Sequence, residues 1–388
     1  MKNAFKKIWL LSFVLTVNYG LFLPAGQAGT ADSYAQSGHY IRVAISQDAI
    51  SLSLKINGFC EVLDGLNEAV LYRGKDLKTT VTTYKGGILM ADKSFTTSRL
   101  LIKAASPQPI VINGRFFNGD INLIKKDNGS LLVINRIDLE DYVKGILYHE
   151  SSHYWPLEAL QAQAVVSRTY AVYQMRENKL KDFDVTSDIY SQVYGGKTSE
   201  RFRTNEAVDN TRGQVITHNN KIIPAYFHAT CGGHTEDASL LWNIDIAVLK
   251  GVICVFCKDS PHFKWHNTLP IGEIEKKLSD RGYNIKNIQA INILSKDKSG
   301  RIADLNIVTL EKNIKISAKD FRNIIGPNLI RSTNFQLNLV DEDAVFQGLG
   351  WGHGVGLCQW GAYFMAKQGY AYKDILKYYY PGTDVSSI

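Results

Sequence analysis

The sequence predicts an α+β protein: a β-rich N-terminal unit, then a mixed helix and sheet core with an inserted or supporting α+β subdomain. Three features predict this. Short β-type runs fill Tyr40 to Val133, the period turns helical at Asp138, and glycines crowd 348–356 ahead of a helical close. Past a leader, about 360 residues remain, more than the roughly 250 to 300 that one core holds, so two or more packed units are expected.

The leader comes first. Lys2, Lys6 and Lys7 precede an apolar run from Ile8 to Val17, then Pro24 and the small residues Ala25, Gly26 and Ala28. That is the layout of a secretory signal peptide over 1–28, with the mature chain beginning near Gly29. The apolar stretch is far shorter than the roughly 20 residues a bilayer requires. A retained leader would anchor the chain to the membrane instead. The formal charge of +7 is modest and its lysines are scattered. No basic stripe is interleaved with aromatics, so nucleic acid is not an expected partner.

Within 29–133, the runs RVAIS, SLSLKI, TTVTTY and LLIKAA read as strands, and INLIKK and LLVINR form a hairpin around Asp127-Asn128-Gly129. An Asn-Gly turn between two such runs is a strong hairpin signal. This part is a β-rich accessory unit. Residues 134–270 form the catalytic core. Asp138 is a natural N-cap for a helix carrying Leu139, Tyr142, Val143, Ile146 and Leu147 at i, i+3, i+4 spacing. Pro156 is placed to open a second, alanine-rich helix reaching about Arg176, in which Arg168 would need a partner. Residues 271–340 read as helix, hairpin around Ser299-Gly300, strand, short helix from Ser317 and strand, a supporting subdomain without catalytic pattern. In 341–388, a glycine-rich loop and two helices, the first stopped by Gly369, complete a cleft.

Four places could carry chemistry. Glu150 lies between the two helices beside Tyr154 and Trp155, a setting where a carboxyl can be desolvated and its pKa raised. The bland alternative is a helix-end glutamate in ordinary solvent. His149-Glu150-Ser151-Ser152-His153 also matches the H-E-x-x-H of zinc peptidases. Pro156 argues against the single unbroken helix that such a site needs. The loop Gly350 to Gly356 lacks the Gly-Lys-Ser/Thr of a phosphate cradle, so nucleotide is not expected; it offers close backbone approach around His353, with Gln359 beyond. Finally, the five cysteines are an odd count, and Cys254-x-x-Cys257 sits near Cys231, His228, His234 and His262.

Four ordered stretches, HESSHYWPLEALQAQAVVSRTYAVY, DIYSQVYGG, AYFHATCGGHTEDA and GLGWGHGVGLCQWGAYFMAKQGYAYKDILKYYYPGT, resemble the stage II sporulation protein D family. The resemblance runs from about Ile134 to Val385, interrupted at 270–340. It implies a lytic transglycosylase of the cell wall, acting on peptidoglycan glycan strands, in studied members on strands stripped of stem peptides. Such an enzyme cleaves the MurNAc-GlcNAc bond and leaves 1,6-anhydro ends. The family's catalytic glutamate falls on Glu150, as general acid and then base, with no cofactor required for catalysis. Arg168, Gln192, Tyr194, His228, His353 and Gln359 fall on signature positions and are implied to line the cleft. Because relatives stimulate cell-wall amidases, a non-enzymatic amidase enhancer is the alternative, and an amidase a candidate partner. Periplasm or cell wall is the implied location.

The chain departs from the family in its cysteines. Some members bind zinc through cysteines near the QVY motif, but Asp184 to Gln192 contains none. Cys231, Cys254 and Cys257 with an imidazole, His234 favoured, would suit structural zinc. A disulfide within the three, or free thiols, are the alternatives. Glu150-Ser151 and Gly356-Leu357-Cys358-Gln359 also imitate motifs of lysozyme-like transglycosylases, but some two hundred residues separate them.

Overall fold

The computed structural model describes residues 39–388 apart from 91, 106, 189 and 190, so the expected signal peptide lies outside the described residues. The fold is mixed α+β, as expected. Its first part is two sheets packed on one core. In the seven-stranded sheet the order is Val185–Thr186, Tyr40–Ala49, Leu131–Asp138, Asp120–Lys125, Arg99–Ala104, Phe59–Asp64 and Val70–Lys75. A six-stranded sheet centred on Ser51–Ile56 and Lys78–Tyr84 faces it. Ser51–Ile56 alternates strictly, burying Leu52, Leu54 and Ile56 and exposing the residues between. Each such apolar side chain contributes about 1.5–3 kcal/mol as an upper bound.

The predicted hairpin pairs Lys125 with Leu131 across the Asn-Gly turn, and Gly129 takes a φ of 81° there. Its second strand, Leu131–Asp138, continues beyond the expected boundary at 133 and feeds directly into α1 (Leu139–Glu150). The first helix of the core is thereby attached to the middle of the β layer. Asp138 caps it, its carboxylate accepting the Glu140 and Asp141 amides. Helix α2 (Leu157–Glu177) follows, with Pro156 one residue ahead of it rather than inside. Its alanines let other elements approach on several sides. Leu160, Ala164 and Ala171 join the β-rich core, whereas Ala162, Val165 and Val166 join a second core.

That second core is assembled from distant segments. After α3 (Phe202–Asn210), the strand Gln214–His218 pairs with the C-terminal strand Asp384–Ser387. Phe227–His228 then pairs in parallel with Leu357–Cys358, setting His228 opposite Cys358. A short α4 (Ala238–Trp242) and a CxxC turn complete one side. A third core holds the inserted segment: α5 (Ile271–Ser279), the hairpin of Ile288–Lys296 and Ile302–Thr309, and α6 (Ala318–Ile325), capped by Ser317. Lys264–Pro270 and Asp343–Leu349 pair antiparallel and carry the chain into and out of this insert. Helices α7 (Gln359–Lys367) and α8 (Tyr372–Tyr379) close the second core. No helix among the described residues is long and apolar enough to cross a membrane.

Candidate active site

Glu150 is the last residue of α1, and the chain leaves the helix immediately, with Ser151 extended. A glycine in α1 allows a second segment to lie against that helix. A Cβ at Gly145 would stand 2.5 Å from the Tyr194 ring, so only glycine leaves room. Gly195 accordingly donates its amide to the Gly145 carbonyl at 3.1 Å, and Tyr142 donates its hydroxyl to Gln192 Oε1 at 3.0 Å. Held this way, the Val193 N–H points at Glu150 Oε1 at 3.3 Å.

The glycine-rich loop arrives from the opposite end of the sequence. A Cβ at Gly356 would fall 2.0 Å from the Tyr226 carbonyl, and one at Gly352 2.8 Å from His228 Cβ, and both backbones have positive φ. These close approaches keep the loop in register with Phe227–His228. Gln359, opening α7, then donates its side-chain amide to the Glu150 carbonyl at 3.0 Å and to Gln163 Oε1 at 3.4 Å.

The aromatic rings connect the two halves. Trp155 packs on Trp360 and Tyr363 at 5.2 and 5.1 Å. On the other side, His353 lies 5.0 Å from Trp242, 5.6 Å from His228 and 6.3 Å from Tyr226, which is 6.1 Å from Tyr170. Tyr170 in turn feels the charge of Glu150. Tyr170, Tyr226, Trp242 and His353 thus form one chain of ring contacts, and Trp155, Trp360 and Tyr363 a second aromatic surface just past the end of α1.

The electrostatics of the site favour neutral groups. Burial raises the Glu150 pKa to about 7, against the smaller opposing pull of the Val193 amide and Gln359. Burial lowers His353 to about 3, with Arg322 and Arg301 adding to the effect. Its Nδ1 accepts the Val355 N–H at 3.1 Å, so the neutral ring carries its hydrogen on Nε2. His228 is also held well below the ordinary histidine range, first by burial and then by His353. Facing the Val355 carbonyl at 3.1 Å, its Nδ1 is the donor, and the buried Nε2 is an acceptor with no protein partner.

Several expectations need correction. Arg168 does not line the cleft. It is fully buried and grips the Glu140 carboxylate with two hydrogen bonds of 2.8 and 2.7 Å, while also donating to the Gln214 and Val208 carbonyls. Gln192 and Tyr194 are buried as well; Tyr194 donates to Asn135 Oδ1 at 2.7 Å, and both support the segment carrying Val193. Tyr154 does not shield Glu150, since it is 79% exposed and stacks on His153. The H-E-x-x-H reading fails because α1 stops at Glu150: His149 faces Ser199 Oγ at 2.6 Å, whereas His153 stacks between Tyr148 and Tyr154. His234 does not join the cysteines either. Cys358 does, its sulfur lying with those of Cys231, Cys254 and Cys257, all within 4.8 Å of one another. The His234 Nδ1 is instead satisfied by the Thr235 carbonyl at 2.6 Å.

A model of the stage II sporulation protein family matches residues 127–218, and a domain of unknown function (DUF8618) matches 248–356. An uncharacterized protein of Brachyspira hyodysenteriae is 40% identical over 275 residues, covering 71% of this chain and 73% of that one. Stage II sporulation protein D of Bacillus subtilis is 32% identical over 269 residues, covering 65% of this chain and 76% of its own length. The chain belongs to the stage II sporulation protein D family. A protein of Bacillus subtilis named amidase enhancer is 27% identical over 295 residues, covering 63% of this chain and 40% of the enhancer.

In this member of the stage II sporulation protein D family, the family match contains Glu150 and Val193 but stops before the loop that supplies His353 and Gln359. The second match spans the third core, the CxxC turn and most of that loop. Val193, Gln163, Tyr170 and Trp242 leave no spacing signal, because they contribute a backbone amide, a side-chain carbonyl or a ring position. Glu236 leaves none either. Burial, then the neighbouring Asp297, raises the pKa of this second acid to about 7. Ser299 Oγ and the Asp237 amide hydrogen-bond its carboxyl at 3.0 and 2.8 Å, and its own N–H meets the Gly354 carbonyl. Glu236 ties the insert to the glycine-rich loop. A hollow of about 600 Å³ beside Trp265 and His266 contains none of the predicted residues.

Proposed function

We propose that this protein is a lytic transglycosylase of bacterial peptidoglycan, with Glu150 as its general acid and base. The observation that carries the reading is a desolvated carboxyl of pKa about 7 that accepts the Val193 amide, on a residue whose main-chain carbonyl Gln359 holds. At neutral pH a large fraction of such a group is protonated. It can give its proton to the O4 atom that leaves MurNAc C1, and then, as carboxylate, take the proton of the attacking 6-hydroxyl. The C1–O4 bond breaks as C1–O6 forms, leaving a 1,6-anhydro end and a free 4-hydroxyl. Water does not enter. Most glycosidases need a second carboxylate, as nucleophile or as base for water. Attack by the sugar's own hydroxyl removes that requirement, so one carboxyl can serve both proton transfers.

Family membership and the similarity to the protein named amidase enhancer support a role at the cell wall, in sporulation or division. We place the protein outside the cytoplasm, in the periplasm or wall, with peptidoglycan strands as substrate and a wall amidase as partner. The amidase would act first if the strands must be stripped. Digestion of intact and denuded glycan, followed by mass analysis, tests the reading. Anhydro ends are expected. Reducing ends would make the enzyme a hydrolase.

The same similarity favours a second reading, a glycan-binding enhancer without turnover. Glu150→Gln separates the two. An enhancer keeps stimulating an amidase, whereas the enzyme loses cleavage while still binding strands.

A further inference from the structure

Four of the five cysteines are buried in the second core, while Cys60 lies in the first. They come from four places in the chain: the loop after Phe227–His228, the two ends of the CxxC turn, and the residue before α7. Cys231 and Cys257 have sulfurs 3.4 Å apart, and the whole set lies within 4.8 Å. A tetrahedral zinc with Zn–S bonds of ~2.3 Å places its sulfurs ~3.8 Å apart. The spacing fits that arrangement.

The surroundings suit thiolates rather than disulfide sulfurs. Cys358 Sγ accepts the Cys231 amide and the Gly361 amide, each at 3.3 Å. The Tyr379 hydroxyl lies 3.1 Å from Cys254 Sγ. Amide and hydroxyl hydrogens directed at sulfur are the usual outer shell of a thiolate metal centre. Arg301, fully buried, brings a positive charge to the Cys231 carbonyl at 2.9 Å. That charge helps offset the two negative charges of a zinc tetrathiolate. Gly361 leaves no room for a side chain, since a Cβ there would meet Tyr379 Oη at 1.9 Å and Cys254 Sγ at 3.0 Å.

We propose that Cys231, Cys254, Cys257 and Cys358 bind one structural zinc ion that fixes the start of α7 and thereby holds Gln359 against Glu150. Cys358 is both the fourth ligand and the N-cap of α7, directly before Gln359. The catalytic consequence rests on the assignment of Glu150. The metal site does not.

Metal analysis of the full chain, purified without added zinc or chelator, should find one zinc per protein. X-ray absorption at the zinc edge should show four sulfurs at ~2.3 Å. Cobalt substitution should give the sulfur-to-metal absorption of a tetrahedral thiolate site. Cys358→Ser and Cys254→Ser should lose at least half of the metal, whereas Cys60→Ser should retain it. Protein without zinc whose four thiols are recovered as disulfides, or remain free when zinc is supplied, would overturn the proposal. So would zinc with nitrogen or oxygen ligands. Where Cys358→Ser fails to fold, the wild-type metal content and absorption spectra still decide. Glycan cleavage that is absent from zinc-loaded protein would count against the transglycosylase reading and leave the metal site standing.

Discussion

Gln359 donates its side-chain amide to the main-chain carbonyl of Glu150 at 3.0 Å, across 209 positions of sequence. One hydrogen bond thus joins the glycine-rich loop and α7 to the end of α1. It fixes the main chain of the residue that carries the carboxyl.

Gln359→Ala should therefore lower kcat more than it raises KM. A misplacement of about 1 Å costs roughly 10²-fold, and the lost hydrogen bond about 1 kcal/mol of stability. Steady-state kinetics on denuded glycan together with thermal unfolding measure the two effects separately. An unchanged kcat would show that the carboxyl finds its position without Gln359.

Glu150→Gln should abolish cleavage, with a loss of about 10²–10⁴-fold or more from the missing proton transfer, while leaving strand binding intact. It should also stabilise the fold at alkaline pH. The folded protein holds the Glu150 proton more tightly than the unfolded chain does, so stability falls as pH rises from about 4.5 through about 7 and then levels. Replacing the acid removes that loss, about 2–3 kcal/mol at pH 8 and close to nothing at pH 4. Melting curves of both proteins at the two pH values provide the check; equal differences at both would contradict a raised pKa.

The rate should follow the same titration. Because the protonated acid starts the reaction, kcat/KM should fall about tenfold per pH unit above about 7. A limb breaking near pH 4 to 5 instead would mean that Glu150 is fully solvated in the free protein.

Arg168→Ala should cost about 3–5 kcal/mol, because it leaves the Glu140 carboxylate buried without its partner. Replacing both residues with apolar side chains of similar volume should recover much of that stability. The double variant should also retain cleavage, since the pair joins α1 to α2 and touches no part of the aromatic surface. Cleavage lost in a fully folded double variant would return Arg168 to the cleft.

The local elements were readable because each is written in neighbouring residues. Alternation in SLSLKI, the Asn-Gly turn, the Asp138 cap and the spacing of Tyr142, Val143, Ile146 and Leu147 all satisfy backbone and burial within a few positions. The helix junction at Glu150 was legible in the same way, whereas the acid itself was singled out by the resemblance of its motif to a family. Which side chains face the cleft was not readable in the same way. Arg168, Gln192 and Tyr194 belong to motifs that include the site's scaffold, and motif membership does not separate a ligand from a support.

By itself, then, the sequence determined the α+β class, the helix that ends on Glu150 and the family to which the motifs point. Tertiary structure alone decided that Cys358 and not His234 joins the other cysteines, that the Val193 amide and Gln359 hold the acid, and that Tyr154 stands away from it. The reason is physical. Helix, strand and turn follow from interactions a few residues long, whereas the Val193 amide reaches Glu150 only when the chain folds back on α1, and Cys358 and Gln359 reach their partners only when Leu357–Cys358 pairs in parallel with the distant Phe227–His228.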